Sequence, residues 1–382
     1  MKKNINYPPL LPEGVSDLLE EKAFQESFLL NSLMKNFLLN GYKRVNPPLI
    51  EYEENYKLFL DTTKNENIFR IVDPISNKPM FIRNDITPQI ARIASNKNTE
   101  KNNYPLRLSY TGYILRPQAN QLHPDRQIRQ AGIELFDNHN NQAAIEVISV
   151  GLESLKKIKI NNLIIDITIP NLSSLIIEKC KLDALKTKNA YSYLRMKNIS
   201  KIKTIPICGI ILAKIADASG EHRRAIKILE KINLPIKAKN LIKEVKIICN
   251  GIKNLHKDVT ITIDPIENRG FNYYSGIGFA IFSENIKREL CFGGQYTILK
   301  NKKCINGMGL SILFDGLLKS TIIKHKNRTI FIPINHDKSI PPNLRKKGWI
   351  TILSYKKLKN YTEGAKKANC SHILIGKTIK KI

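Results

Sequence analysis

The sequence predicts an α+β fold in which an antiparallel sheet is flanked by helices. Two observations lead there. Strand-like runs cluster as LRLSYTGYIL and GIELF in the first half, and as NLIIDITI, VTITIDP, SGIGFAIF and GMGLSILFD in the second. Few helices intervene between them, which points to hairpin connections rather than a doubly wound sheet. A third observation sets the organisation: between about 172 and 255 the pattern becomes helical and rich in Lys, Ala, Leu and Ile, which reads as an insertion within the sheet domain.

Taken in order, EEKAFQESFLLNSLMKNFLLNGY places Phe24, Phe28, Leu33, Phe37 and Leu38 at helical spacing and stops at Asn40-Gly41. The double proline of YKRVNPPLIEY then favours extended chain. IFRIVDPISNKPMFIRND reads as a hairpin turning at Asn77 and Pro79. Thr87-Pro88 opens a helix, with Thr87 as N-cap and Pro88 as first helical residue. NQAAIEVISVGLESLKKI supplies another helix. After about residue 324 a short βαβ-like tail follows (TIFIPI, PPNLRKKG, WITILSY, YTEGAKKANC, SHILIG). The expected domains are therefore 1–324, containing the insertion, and 325–382, a small α/β segment.

At 382 residues, 42% hydrophobic and 25% charged, the composition is that of a globular protein with room for more than one domain. Apolar runs such as IPICGIILAKIA are interrupted well before the ~18 residues a membrane span needs, and MKKNINYPPLLPEG has no apolar core of a signal peptide. Six cysteines without a CxxC argue against a zinc site or disulfide framework, and for a reduced, cytoplasmic protein. The formal net charge of +29 invites nucleic acid. The lysines read as spread along the chain with abundant Asn and Ile, so compositional drift explains them more simply than a polyanion footprint.

Generic catalytic motifs (GxSxG, P-loop, HExxH) are absent, the seven histidines are too dispersed for a metal cluster and most read as surface or loop residues, and no cofactor or metal site is expected. Four blocks carry the information instead: LPEGVSDLL; FIRNDITPQIAR; RPQANQLHPDRQIRQAGIELF; and ENRGFNYYSGIGF with CFGGQY and GMGLSILFDGLL. In this order they resemble the histidyl-tRNA synthetases, class II enzymes with an antiparallel-sheet active site. IRNDITPQIARI and DPIENRGFNYYSGIGF resemble more closely the synthetase paralogues that serve as regulatory subunits of ATP phosphoribosyltransferase. The resemblance covers about residues 8 to 320.

The resemblance implies a histidine pocket. Asp85 stands where the family holds the substrate ammonium, with Thr87 beside it; Gln130 and Glu134 fall on pocket-lining positions; Arg269, Tyr274 and Tyr296 match the histidine-specific segments. A second reading of Asp85 is that it caps the helix beginning near Thr87. The nucleotide half departs from the family pattern. Arg116 is present, but the glutamate two residues on is Gln118, and the late acid–arginine pair reads Asp315-Gly316. Glycine cannot meet triphosphate charge as a guanidinium does. In the same loop only Arg126 remains of the family's further basic residues. The resemblance thus implies a non-catalytic regulatory subunit without aminoacylation, partnered by separate short-form catalytic subunits, self-dimerising within a hetero-oligomer and answering to L-histidine. An active synthetase with drifted motifs is the alternative. A tRNA partner is not expected, because only 58 residues stand where the family has its anticodon-binding domain.

Overall fold

The structure, a computed structural model, describes residues 10–57, 68–96, 105–118, 124–136, 140–267, 274–300, 303–320 and 328–382. Its contacts divide the chain into Met1–Thr321 and Ile322–Ile382. The first unit opens with α1 (Glu20–Leu39), then β1 (Lys43–Arg44), β2 (Ile50–Tyr52), α2 (Glu53–Lys57), β3 (Phe69–Val72), β4 (Pro79–Ile82), α3 (Thr87–Asn96), β5 (Leu106–Leu115), β6 (Gln127–Phe136) and α4 (Asn141–Lys157). β7 (Leu163–Thr168) leads into the helical stretch α5 (Pro170–Lys179), α6 (Ala184–Arg195), α7 (Ile199–Lys203) and α8 (Gly209–Asp217), then β8 (Gly220–Glu221), α9 (His222–Lys231) and α10 (Ile236–Leu255). The unit closes with β9 (Thr260–Asp264), β10 (Tyr274–Ser283), β11 (Ile286–Lys300), β12 (Lys303–Leu313) and α11 (Phe314–Ser320).

The α+β expectation holds. A nine-stranded sheet runs in the order β1-β5-β6-β12-β11-β10-β7-β9-β8. Its centre, from β5 to β7, is antiparallel throughout. Two pairs nearer the edges are parallel, β1 with β5 and β7 with β9. Parallel neighbours need a long crossover, and helices α5 to α10 are the crossover from β7 to β9. A separate three-stranded sheet, β2-β4-β3, contains the expected hairpin, with Asn77 at φ 54 in its turn. Asparagine tolerates that left-handed backbone better than most residues.

The buried stripe of α1 differs from the expected one. Leu29, Leu33 and Phe37 are buried, whereas Phe24, Phe28 and Leu38 are exposed. Glu26 and Asn36 share the buried face because partners await them. Glu26 accepts from Tyr113 Oη and Arg129, and Asn36 donates to Ser154 Oγ at 2.8 Å. Paired in this way, polar groups occupy positions that a hydrophobic count cannot anticipate. Two of the seven histidines, His222 and His256, are likewise buried.

The second unit builds β13 (Thr329–Ile332), α12 (Ile340–Lys346), β14 (Ile350–Leu353), α13 (Tyr361–Lys367), β15 (His372–Ile375) and β16 (Thr378–Lys381). β13 lies between β14 and β15, parallel to both, and β16 adds an antiparallel edge absent from the sequence reading.

Positive charge is segregated rather than even, correcting the earlier picture of a uniform spread. Residues 172–255 hold 18 Lys/Arg against six Asp/Glu, and 322–382 hold 15 against two. All the remaining residues hold 29 against 25. The part of the chain that builds most of the large sheet is therefore nearly neutral.

Candidate functional site

The site forms where β6, β11 and β12 lie side by side and the N-terminus of α3 closes over them. Side chains on alternate residues of a strand share a face, so Gln130, Gly132 and Glu134 of β6 point together toward α3. Across the sheet Glu134 is in register with Gly309, and Gly132 with Tyr110 on one side and Ser311 on the other. Hydrophobic residues pack around this polar centre, among them Ile86, Ile90, Ile128, Phe136, Phe292 and Tyr296.

Glu134 is 1% exposed and lies among hydroxyl groups. Tyr296 Oη donates to its Oε2 at 2.7 Å, and Thr87 Oγ1 and Tyr110 Oη donate to Oε1 at 3.0 and 3.3 Å. Burial pushes the carboxyl up to about 8; the hydroxyl bonds pull it down, and the Asp85 charge adds to the rise. Burial and the Glu134 charge hold the hydroxyls of Tyr110 and Tyr296 well above their usual range, so both remain donors. The Tyr296 ring stands edge-on to Phe136, with centroids 6.3 Å apart.

Gln130 joins this centre to Asp85. Its Nε2 donates to Asp85 Oδ1 and to Ser311 Oγ, both at 2.8 Å, while its Oε1 accepts from the Ile86 backbone N–H at 3.1 Å. Asp85 also accepts from the Thr87 backbone N–H at 3.2 Å. The helix start thus falls one residue away from the expected position. Thr87 is the first residue of α3 rather than its cap, and its hydroxyl is directed to Glu134 while Asp85 satisfies the free N–H. Asp85 therefore caps the helix and lines the site at once.

Behind this segment Arg83 is buried, with Nε on the Tyr113 carbonyl at 2.8 Å and Nη1 on those of Pro47 and Pro48 at 2.9 and 3.1 Å. Gly112 makes room for it: a Cβ there would lie 2.0 Å from Arg83 Nη2. The cavity lined by Thr87, Glu134, Gly293, Tyr296, Gly309 and Ser311 measures ≈ 10 Å³, about one water.

The structure thus brings together Asp85, Thr87, Gln130, Glu134 and Tyr296. Tyr274 pairs with Tyr296 in the backbone register of β10 and β11; its side chain and Arg269 lie outside the described residues. The sequence reading missed Tyr110 and Ser311, as well as Gly309. The alternating glycines of NGMGLS, opposite a strand with large polar side chains, were the available signal.

The positions read in the sequence as a degenerate nucleotide half have a different character. The backbone N–H of Arg116 bonds the Arg126 carbonyl at 2.8 Å, and Gln118 is exposed. Asp315 is buried, with Arg288 Nη1 at 3.5 Å. A Cβ on Gly316 would meet its nearest neighbours at 3.5 and 3.6 Å, an ordinary contact, so packing does not require glycine there. Among the described residues no group of His, Cys, Asp and Glu could hold a metal, and no helix is long and apolar enough to cross a membrane.

An antiparallel sheet bearing this polar centre on one face defines a class II synthetase-like protein. Residues 14–317 match the family model described as histidyl-tRNA synthetase. Among curated relatives, the ATP phosphoribosyltransferase regulatory subunit of Rhodospirillum centenum is 32% identical, over 98% of this chain and 96% of that protein. That of Paramagnetospirillum magneticum is 31% identical, over 96% of each. A solved structure from Bacillus halodurans, described as an ATP phosphoribosyltransferase regulatory subunit/histidyl-tRNA synthetase, aligns with TM-score 0.82 at 20% identity, covering 98% of this chain and all of that one. Histidyl-tRNA synthetase from Nostoc sp. PCC 7120 aligns with TM-score 0.76 at 19% identity, over 96% and 91%. The chain belongs to the family of ATP phosphoribosyltransferase regulatory subunits, a branch of the histidyl-tRNA synthetase family.

Proposed function

We propose that the chain is the non-catalytic regulatory subunit of a short-form ATP phosphoribosyltransferase, required for the first step of histidine biosynthesis and carrying its histidine feedback. The observation that carries this is near-complete alignment with regulatory subunits, 32% identical over 98% of the chain. Gln118 and Gly316, where the synthetase pattern has a glutamate and an arginine, support the absence of aminoacylation.

The site residues that support a histidine effector are Asp85 with Thr87 and Gln130 for the ammonium, and Glu134 with Tyr296 for the ring; Arg269 and Tyr274 complete the set. A charge-assisted bond to Asp85 is stronger than a neutral one. Histidine held there would favour one of two arrangements of the surrounding segments. The bias reaches a catalytic subunit only if those states also differ in subunit contacts. In this reading the protein works in the cytoplasm as a self-dimer within a hetero-oligomer. Residues 1–324 hold the ligand and 325–382 form a small docking element.

Two experiments test the proposal. Affinity-tagged protein brings down a short phosphoribosyltransferase whose activity rises in the complex and falls on adding histidine. Purified protein gives no histidine-dependent ATP–pyrophosphate exchange; robust exchange would instead establish an active synthetase.

A further inference from the structure

We propose that the groove between α5 and α10 is a docking face for the catalytic subunit, which meets it with apolar side chains inside an acidic rim. This rests on the regulatory-subunit reading above and adds to it the place of contact on this chain and the chemistry of the partner's surface.

The groove holds ≈ 610 Å³. Leu175 of α5 and Leu234, Pro235 and Ile236 around the start of α10 give it an apolar lining, and Lys179 and Lys237 stand with Glu178 at its charged edge. Ile236, the first residue of α10, is 79% exposed. α5 ends at Lys179, and the thiol of the next residue, Cys180, lies against that of Cys208. There the chain makes a tight turn, in which the Cys208 N–H donates to the Pro206 carbonyl at 2.7 Å across Ile207 at φ 67. A three-residue turn of that hand is strained, and more so around a β-branched residue. The side chain it holds out is 80% exposed, and Ile210, three residues on, is 67% exposed. Apolar side chains held in water stabilise nothing in the lone chain; a partner's surface supplies the burial they lack.

Charge and chemistry choose the occupant. Residues 172–255 hold 18 Lys/Arg against six Asp/Glu. No other part of this chain complements that excess. Residues 322–382 are basic too, at 15 against two, and all the rest, at 29 against 25, has no acidic excess to offer. A second copy would therefore set like charge against like. Nucleic acid would suit the lysines but not the lining, because bases stack on aromatic rings and the apolar lining is wholly aliphatic. A protein surface with an apolar centre and acidic residues around it satisfies both features.

The test is the affinity of the full chain for the purified short phosphoribosyltransferase, by calorimetry at about 0.05 and 0.3 M salt. Wild type is compared with Ile236→Asp and with the pair Lys179→Glu and Lys237→Glu. An acidic residue in the first turn of a helix is favourable, so Ile236→Asp should keep the wild-type urea midpoint. Each variant is expected to bind at least about tenfold more weakly, and the lysine pair should also lose most of the salt dependence. Unchanged affinity in either variant overturns the proposal while leaving the regulatory reading in place. Should the variants instead lose self-association in sedimentation, or binding to RNA, with subunit affinity unchanged, the face belongs to a second copy or to nucleic acid and the proposal falls. Absence of a wild-type complex at either salt overturns the regulatory reading, and the docking face with it. If Ile236→Asp fails to fold, the lysine pair alone decides.

Discussion

Gly309 and Glu134 face each other in register on neighbouring strands, and a Cβ on Gly309 would lie 1.7 Å from Glu134 Oε2. The carboxyl occupies the space that any side chain at 309 would claim. Gly309→Ala therefore evicts Glu134 from the hydroxyl cluster. Loss of detectable histidine binding by calorimetry is expected, with destabilisation of about 1–3 kcal/mol from overpacking, read by denaturant unfolding. Retained affinity would mean that the carboxyl is not where the ligand acts.

Asp85→Ala and Glu134→Ala are each expected to abolish histidine binding while far-ultraviolet circular dichroism stays unchanged. Asp85→Ala also removes a helix cap, which adds a stability loss of about 1 kcal/mol. Unchanged affinity in both variants rejects this placement of the site.

Stability should depend on pH through Glu134. Its folded-state value lies above the unfolded one, about 8 against 4.5, so the folded protein holds a proton that the unfolded chain has lost. The contribution is fully present below pH 4.5 and is lost as pH rises through 8, with a slope of at most about 1.4 kcal/mol per pH unit. Urea midpoints measured from pH 5 to 9 should decline more steeply for wild type than for Glu134→Gln.

At position 316 the packing leaves room for a side chain, and glycine weakens a helix. Gly316→Ala should raise stability by about 0.5–1 kcal/mol in urea unfolding. Gly316→Arg should fold but give no ATP–pyrophosphate exchange, because Gln118 still stands in place of the family's glutamate.

Arg83 offers a test of how the site is held. Its guanidinium reaches carbonyls on two separate segments, 47–48 and 113, just ahead of Asp85. Arg83→Met leaves those carbonyls without their donor and should cost about 3 kcal/mol in unfolding free energy, with weakened histidine affinity. Arg83→Lys should recover part of the stability.

The sequence by itself determined the α+β class, most strands of the large sheet, the helical stretch between them and, through the resemblance, five residues that the structure brings together, Asp85, Thr87, Gln130, Glu134 and Tyr296. Those features are written locally, in strand periodicity, in turn residues such as Asn77 and in motif order. Tertiary structure alone decided which face of α1 is buried, since Glu26 and Asn36 go inside only because Tyr113, Arg129 and Ser154 stand ready to bond them. It also decided that Thr87 turns to Glu134 while Asp85 caps the helix, and that Tyr110, Ser311 and Gly309 belong to the site. Each of these depends on strand register across as many as 201 residues of chain, as between Tyr110 and Ser311. The raised titration of Glu134 follows from the same source: burial is a property of the assembled sheet, and no residue carries it alone.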